Sequence, residues 1–400
     1  MARKTLLALT AFVAAGAYAD NTSYDVNAGC SNDQLLRWYD EDIGLFLYPN
    51  GAYYFWQAGV MITAVASLAA LDSGVKSRTA GMWQNTYLKG GGPAHGVIQL
   101  DSTGRKIVVP KGSANNTVPG KFRKREQGFL ASHYDDEGWW GLAWQDVYDL
   151  TGVQDYLTES IAIWQDMNAG WGNLNCGGLP WFKGEAKTDN PLAIPNELYL
   201  AISAGLANRV PSSQKQTYLS AAQTIWTWFQ KVGFVNSQGL VNDAVNGNTC
   251  VNDNNQPTWT YNQGVVIGGL ADLYIATGDQ SYLTSASVIA NATMAHLVDS
   301  NGILADSCDL SHNCSGDNLQ FKGVFARNLQ KLYHSQPYPA YKAFLEKNAQ
   351  SIWQNDLAVE SGDCFNGADW GGPYVLGSAT ASSQSSALQC LVAALYVSQN

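Results

Sequence analysis

The chain is short of basic charge, has no histidine cluster and carries no long apolar run after its first few residues, and each shortage removes a class of protein. Lys and Arg number 23 against 33 Asp and Glu, a formal net charge of −10, and a field of that sign disfavours nucleic acid and anionic membrane surfaces. The longest apolar run beyond the leader, Gly59 to Leu71, is 13 residues, well under the roughly 20 that a spanning helix needs. His95, His133, His296, His312 and His334 lack ligand spacing, and neither an HExxH helix nor an EF-hand loop occurs, so no metal and no cofactor is expected. Gly90-Gly91-Gly92 does not join a strand to a helix, which excludes a phosphate loop, and no GxSxG elbow supports a serine hydrolase. The basic run Lys121-Phe122-Arg123-Lys124-Arg125 reads as a solvated loop or a processing site.

What is present begins with an export signal. Arg3 and Lys4, the apolar stretch Leu6 to Ala15 and the small-x-small triplet Ala17-Tyr18-Ala19 form a leader over residues 1–19. Its removal takes two basic residues and moves the formal charge from −10 to −12. Sequons at Asn21, Asn115, Asn291 and Asn313 fit a secreted, extracellular or cell-wall protein. The seven cysteines lack zinc-ribbon or CxxC spacing, so in an exported chain they read as disulfides. Cys308 and Cys314 can clip one loop, Cys176 and Cys250 both lie in Gly/Asn-rich loops, and among Cys30, Cys364 and Cys390 at least one stays unpaired within the chain.

An internal repeat sets the architecture. Tyr148-x-x-Thr151-Gly152-x-Gln154-x-Tyr156-Leu157-Thr158 returns as Tyr274-x-x-Thr277-Gly278-x-Gln280-x-Tyr282-Leu283-Thr284. In both copies a helical pattern ends in Thr-Gly and a second amphipathic run follows a tight turn, which makes each an αα-hairpin. One more such unit fits between them, Pro195–Arg209 and Gln214–Lys231 about the turn Val210-Pro211-Ser212-Ser213. A direct pass predicts one set of helices near 33–43, 75–89, 155–168, 214–231, 281–298 and 338–355. A second set falls near 52–71, 137–150, 195–209, 260–276, 319–334 and 379–397. Six hairpins of similar length predict an all-α (α/α)6 toroid, closed as two concentric rings and forming a single domain over 20–400. The second set is richer in small residues, as an inner ring crowded about an axis requires. The long connections at 90–134, 169–194, 232–259, 299–318 and 356–378 then emerge on one rim, where function is expected.

On that rim stand two adjacent aspartates, in His133-Tyr134-Asp135-Asp136-Glu137-Gly138-Trp139-Trp140. At a helix start the dipole favours the ionised form of one carboxyl, while repulsion from that charge and desolvation beside Trp139 and Trp140 raise the other. Two carboxyls of unlike proton affinity are the equipment for cleaving a glycosidic bond, one attacking the sugar carbon and one protonating the leaving oxygen. An acidic helix cap is the bland alternative for the doublet alone. Rim aromatics argue for the richer reading: Trp171, Trp181, Trp259 and Trp370 lie in Gly/Asn/Pro-rich segments, where flat rings suit the C–H faces of pyranoses.

The chain resembles glycoside hydrolase family 76, the α-1,6-mannanases and their fungal cell-wall relatives. The resemblance is carried by five segments in order: Tyr134 to Ala143, Asn175 to Trp181, Pro195 to Leu200, Trp259 to Gly264 and Phe321 to Arg327. It implies an (α/α)6 barrel and retaining cleavage, with Asp135 as nucleophile and Asp136 as general acid/base. Tyr134, Trp139, Trp140, Trp181, Asn196, Tyr261, Asn262 and Lys322, together with the rim residue Trp370, become candidates for the substrate cleft. The expectation is a secreted, monomeric endo-α-1,6-mannanase whose partner is α-mannan or a mannose-containing cell-wall glycan. Two rival expectations are a cell-wall transglycosidase acting on the α-mannoside of glycolipid-anchor glycans and a non-catalytic mannan-binding protein. Fungal relatives of the transferring type usually carry an anchor signal, whereas here the sequence ends Leu395-Tyr396-Val397-Ser398-Gln399-Asn400, which favours free secretion and hydrolysis.

Overall fold

Helices buried over most of their surface alternate along the chain with helices buried on one face, and that alternation builds the molecule. The computed structural model describes residues 23–48, 51–91, 96–101, 103–110 and 128–400. The leader over 1–19, the sequons at Asn21 and Asn115, His95 and the basic run at 121–125 lie outside the described residues. In chain order the helices are α1 (Tyr24–Leu36), α2 (Phe55–Leu71), α3 (Ser73–Lys89), α4 (Tyr134–Thr151), α5 (Gln154–Gly170), α6 (Ala193–Ala207) and α7 (Ser212–Val232). They continue as α8 (Thr260–Thr277), α9 (Gln280–His296), the single turn α10 (Ser307–Leu310), α11 (Asn318–Ser335), α12 (Pro339–Asn355) and α13 (Ala381–Gln399). Among the described residues no helix is long and apolar enough to cross a membrane.

Helices α2, α4, α6, α8, α11 and α13 pack each against the next, and α13 closes the circle against α2. Outside them, α3, α5, α7 and α9 lie on the inner helix that precedes each, α12 lies on α11 and α13, and α1 lies on α13. The result is the expected (α/α)6 toroid. Its inner helices are mostly buried, and in α6 every residue is, so there the apolar stripe of a surface helix gives way to a largely apolar segment. Close approach of these helices depends on missing side chains. A Cβ on Gly264 would stand 2.7 Å from Phe325 Cα, and one on Gly323 would stand 2.6 Å from Ser386 Cα.

The repeat has the local cause inferred from it. Gly152 and Gly278 cap α4 and α8 with φ of +70° and +75°, a left-handed turn that a side chain would strain. The next helix begins two residues later, which produces the tight hairpin.

Three features depart from the predicted pattern. The first outer helix covers 24–36 rather than 33–43, and a small hairpin, β1 (Tyr39–Asp40) with β2 (Leu45–Phe46), takes the rest of that stretch. Helix α1 buries Asn27, Ser31, Asn32 and Gln34, so apolar periodicity marks it poorly. Its Ser31 hydroxyl donates to Asn366 Oδ1 at 2.9 Å, and Gln384 Nε2 donates to Ser31 Oγ at 2.8 Å. The other two departures are hairpins inside predicted rim loops: β3 (Gly96–Leu100) with β4 (Lys106–Pro110), and β5 (Leu357–Glu360) with β6 (Asp363–Asn366).

Disulfides join Cys30 to Cys364, Cys176 to Cys250 and Cys308 to Cys314, leaving Cys390 as a buried thiol. The first ties α1 to β6 across 334 residues of sequence and so staples the ring shut. The second ties the rim loop after α5 to the loop after α7. Of the described sequons, Asn291 and Asn313 are both exposed.

Candidate active site

Six inner-helix N-termini gather at one mouth, bringing together residues far apart in sequence. Trp56 at the start of α2 packs on Trp139 of α4 at 5.4 Å between ring centroids, Trp139 lies 6.4 Å from Tyr261 of α8, and Tyr261 stacks on Phe321 of α11 at 4.0 Å. Asp135 and Asp136 occupy the first turn of α4, which starts from an extended His133.

Loop 171–192 fixes that first turn. Tyr134 N donates to Trp181 O at 2.9 Å, Lys183 N donates to Ser132 O at 3.0 Å, and Lys183 Nζ lies 2.8 Å from Glu137 Oε2 and 2.5 Å from Asp166 Oδ2. Glu137 is fully buried and also accepts from Ala131 N at 2.9 Å. The third acid of the triplet is thereby a structural anchor, and the first two are left facing the mouth.

Asp135 Oδ2 accepts from Trp181 Nε1 at 2.7 Å, and its Oδ1 accepts from Asp136 N at 2.9 Å. Asp136 has the His133 ring 3.9 Å away, and that ring packs between Trp181 and Phe182 at 4.5 and 5.1 Å. Burial pushes Asp135 up to about 6, opposed by the two hydrogen bonds. Burial and the charge of Asp135 push Asp136 further, to about 8. Asp135 is thus the more readily ionised of the two. Desolvation outweighs these hydrogen bonds, so Asp135 also ends above its ordinary range.

Other candidates divide between the mouth and the interior. Trp181 is 39 % exposed and Tyr261 is partly exposed, whereas Trp140, Asn196 and Asn262 are fully buried and Tyr134, Trp139, Lys322 and Trp370 nearly so. Asn196 serves the backbone, accepting from Leu179 N at 2.7 Å and donating to Leu192 O at 2.8 Å. Trp140 donates to Phe55 O at 3.0 Å. Lys322 pairs with Asp309, donates to Ala368 O at 2.6 Å and lies over the Trp370 ring. These residues shape the mouth from behind. Among the rim tryptophans, Trp171 and Trp259 are half-buried and Trp370 is interior.

Several groups at the mouth had no place in the sequence-derived set. Asp243 accepts from Tyr261 OH at 3.2 Å and from Asn262 Nδ2 at 2.8 Å, and burial raises its carboxyl. Glu197 is fully buried, neither of its oxygens has a partner among the described residues, and burial followed by the Asp243 charge lifts it well above its ordinary value. Asp317, just before α11, contributes its charge to both catalytic candidates. Glu197 lies within a segment that carried the family resemblance; Asp243 and Asp317 sit in rim loops with no local signature.

A helical toroid whose mouth holds two desolvated, adjacent carboxyls among aromatic rings defines the class: an (α/α)6 barrel with a cleft lined by acids and aromatic rings. The glycosyl hydrolase family 76 model matches residues 17–400, and the chain belongs to that family. It is 27 % identical over 276 residues to the mannan endo-1,6-alpha-mannosidase DFG5 of Candida albicans, covering 65 % of this chain and 60 % of that protein. It is 25 % identical over 303 residues to DFG5 of Saccharomyces cerevisiae, covering 73 % and 59 %. The chain thus spans about three fifths of the length of these relatives. Among solved structures, the GH76A alpha-1,6-mannanase of Salegentibacter sp. HEL1_6 superposes with a TM-score of 0.73 at 20 % identity, covering 94 % of this chain and 99 % of that one. An inactive variant of the Salegentibacter enzyme has been solved in complex with alpha-1,6-mannotriose.

Proposed function

We propose that the protein is a retaining endo-α-1,6-mannanase acting through Asp135 and Asp136. The observation that carries the reading is the pair itself: adjacent carboxyls, both desolvated, with Asp135 alone receiving two hydrogen bonds that favour its anion. The Asp135 carboxylate attacks the anomeric carbon of an α-mannosyl unit and the glycosidic bond breaks. The proton on Asp136 passes to the leaving oxygen. Water then attacks the mannosyl ester, giving its proton to Asp136 and restoring Asp135. Trp181 both steadies the nucleophile and offers an exposed ring at the mouth; Tyr261, tied to Asp243, faces the same space. The remaining candidates, Tyr134, Trp139, Trp140, Asn196, Asn262, Lys322 and Trp370, support the cleft from behind.

The ring closing through α13 and α2 supports residues 20–400 as one catalytic domain behind a removed leader at 1–19. Export to the cell exterior or wall and a monomeric state belong to the same proposal, supported by the leader pattern, the disulfides and the exposed sequons.

Linear α-1,6-mannan is the test substrate. The native chain is expected to release shorter mannans with retained anomeric configuration, and Asp135→Asn and Asp136→Asn each to lose about 10³-fold or more. Mannan binding without turnover would replace this reading with a binding protein, and products longer than the substrate would replace it with a transglycosidase.

A further inference from the structure

The mouth contains a second tryptophan–aspartate pair built like the first. Trp56 Nε1 donates to Asp317 Oδ1 at 3.1 Å, as Trp181 Nε1 donates to Asp135 Oδ2. The same Asp317 oxygen accepts from Gln57 Nε2 at 3.0 Å. Gln57 is fully buried, and its own oxygen accepts from Tyr48 OH and Ser382 Oγ. Asp317 lies just before α11, while Trp56 and Gln57 open α2, so these bonds cross the mouth and fix a surface carboxylate that would otherwise be free to rotate. No donor reaches the second oxygen, Oδ2, among the described residues, and Asp317 is exposed.

We propose that Trp56 and Asp317 form a further sugar-binding subsite, adjoining the catalytic aspartates, for a neutral hexopyranose of the bound glycan. Trp56 is partly exposed and packs at a tilt of 31° on Trp139, which follows Asp136 by three residues and so shares its helix face. Tyr54, two residues earlier, is 42 % exposed and packs on Tyr48 at 4.7 Å between ring centroids. An indole beside a carboxylate with one oxygen held and one open matches what a pyranose needs: an apolar plane for its C–H face and a charged acceptor for a hydroxyl. Because the acceptor is already oriented, little side-chain entropy is lost when the sugar arrives. The negative charge also makes the subsite selective for neutral over anionic sugars.

The proposal rests on the glycan-binding reading of the mouth, and its test is the dependence on chain length. kcat/KM is measured for α-1,6-linked mannobiose through mannohexaose with the native protein, Asp317→Asn and Trp56→Ala. Only the ratio between successive lengths is read, because an effect on the chemical step common to all lengths cancels in it. In the native protein one added mannose is expected to raise kcat/KM by about 10-fold or more, the worth of one hydrogen bond to a charged acceptor plus ring contact. In both variants that step collapses toward unity, whereas a change that merely loosens the fold lowers every length alike. A native length step that survives in Asp317→Asn and Trp56→Ala overturns the subsite. Should the protein bind mannan without cleaving it, the same ratio is read from Kd by calorimetry, so failure of catalysis and failure of the subsite are told apart.

Discussion

Replacing Trp181 with Phe removes one hydrogen bond from the proposed nucleophile while keeping an aromatic ring at the mouth. The indole N–H lies 2.7 Å from Asp135 Oδ2 and favours the carboxylate over the acid. A hydrogen bond to a charged group contributes about 1.5–3 kcal/mol, and because Trp181 is 39 % exposed solvent screening places this one at the low end, about 1.5 kcal/mol. At 1.36 kcal/mol per pKa unit, that is an upward shift of about one unit for Asp135, from about 6 toward the value of Asp136. Catalysis needs Asp135 ionised and Asp136 protonated, so kcat/KM should be bell-shaped, with an acid limb set by Asp135 and an alkaline limb set by Asp136. The acid limb of Trp181→Phe should therefore move up by about one pH unit, narrowing the bell and lowering its peak several-fold. The assay is the pH profile of kcat/KM on an α-1,6-manno-oligosaccharide from pH 4 to 9. An acid limb that stays in place in a folded, active variant refutes the assignment of that bond to the nucleophile.

Leaving-group chemistry separates the two acids: a dinitrophenyl α-mannoside needs no protonation to depart, so it should restore Asp136→Asn by at least about 10-fold relative to mannan and leave Asp135→Asn inactive. Glu197 gives a stability prediction. Its folded value lies above its unfolded one, so the native protein keeps a proton that the unfolded chain releases above pH ~4.5, and stability is lost as pH rises from there. Glu197→Gln lacks that loss, and its Tm relative to native should climb between pH 4 and 8; a relative Tm that falls over that range contradicts a protonated Glu197. Removing the ring staple with Cys30→Ser plus Cys364→Ser should cost about 2–5 kcal/mol, seen as a lower denaturant midpoint with unchanged helical circular dichroism. Lys183→Met strands the fully buried Glu137 and should cost about 3–5 kcal/mol by the same measurement.

The sequence made the ring legible because its inner and outer helices differ in kind. Thr151-Gly152 and Thr277-Gly278 mark helix ends through backbone geometry alone, and the repeat they create sets the unit length. Helix α1 escaped because it is held by a polar network, Ser31 with Asn366 and Gln384, which leaves no apolar period to read. The catalytic candidates were legible because the doublet and its aromatics are contiguous in sequence. Lys322 and Trp370 show the limit of that approach: a lysine aimed at a ligand and one buried against Asp309 have the same local sequence. Asp317, Asp243 and Trp56 become neighbours of the doublet only when the ring closes, so no window of sequence joins them.

In the proposed mechanism Asp135 forms a covalent bond to the sugar. Incubating the protein with a 2-deoxy-2-fluoro-α-mannosyl fluoride, which slows release of the intermediate, followed by peptide mass spectrometry, tests it most directly. A fluoromannosyl ester is expected on the peptide containing residues 134–140, located on Asp135 by fragmentation. An ester on Asp136 or elsewhere, or an active protein that gives inverted products and no adduct, contradicts it.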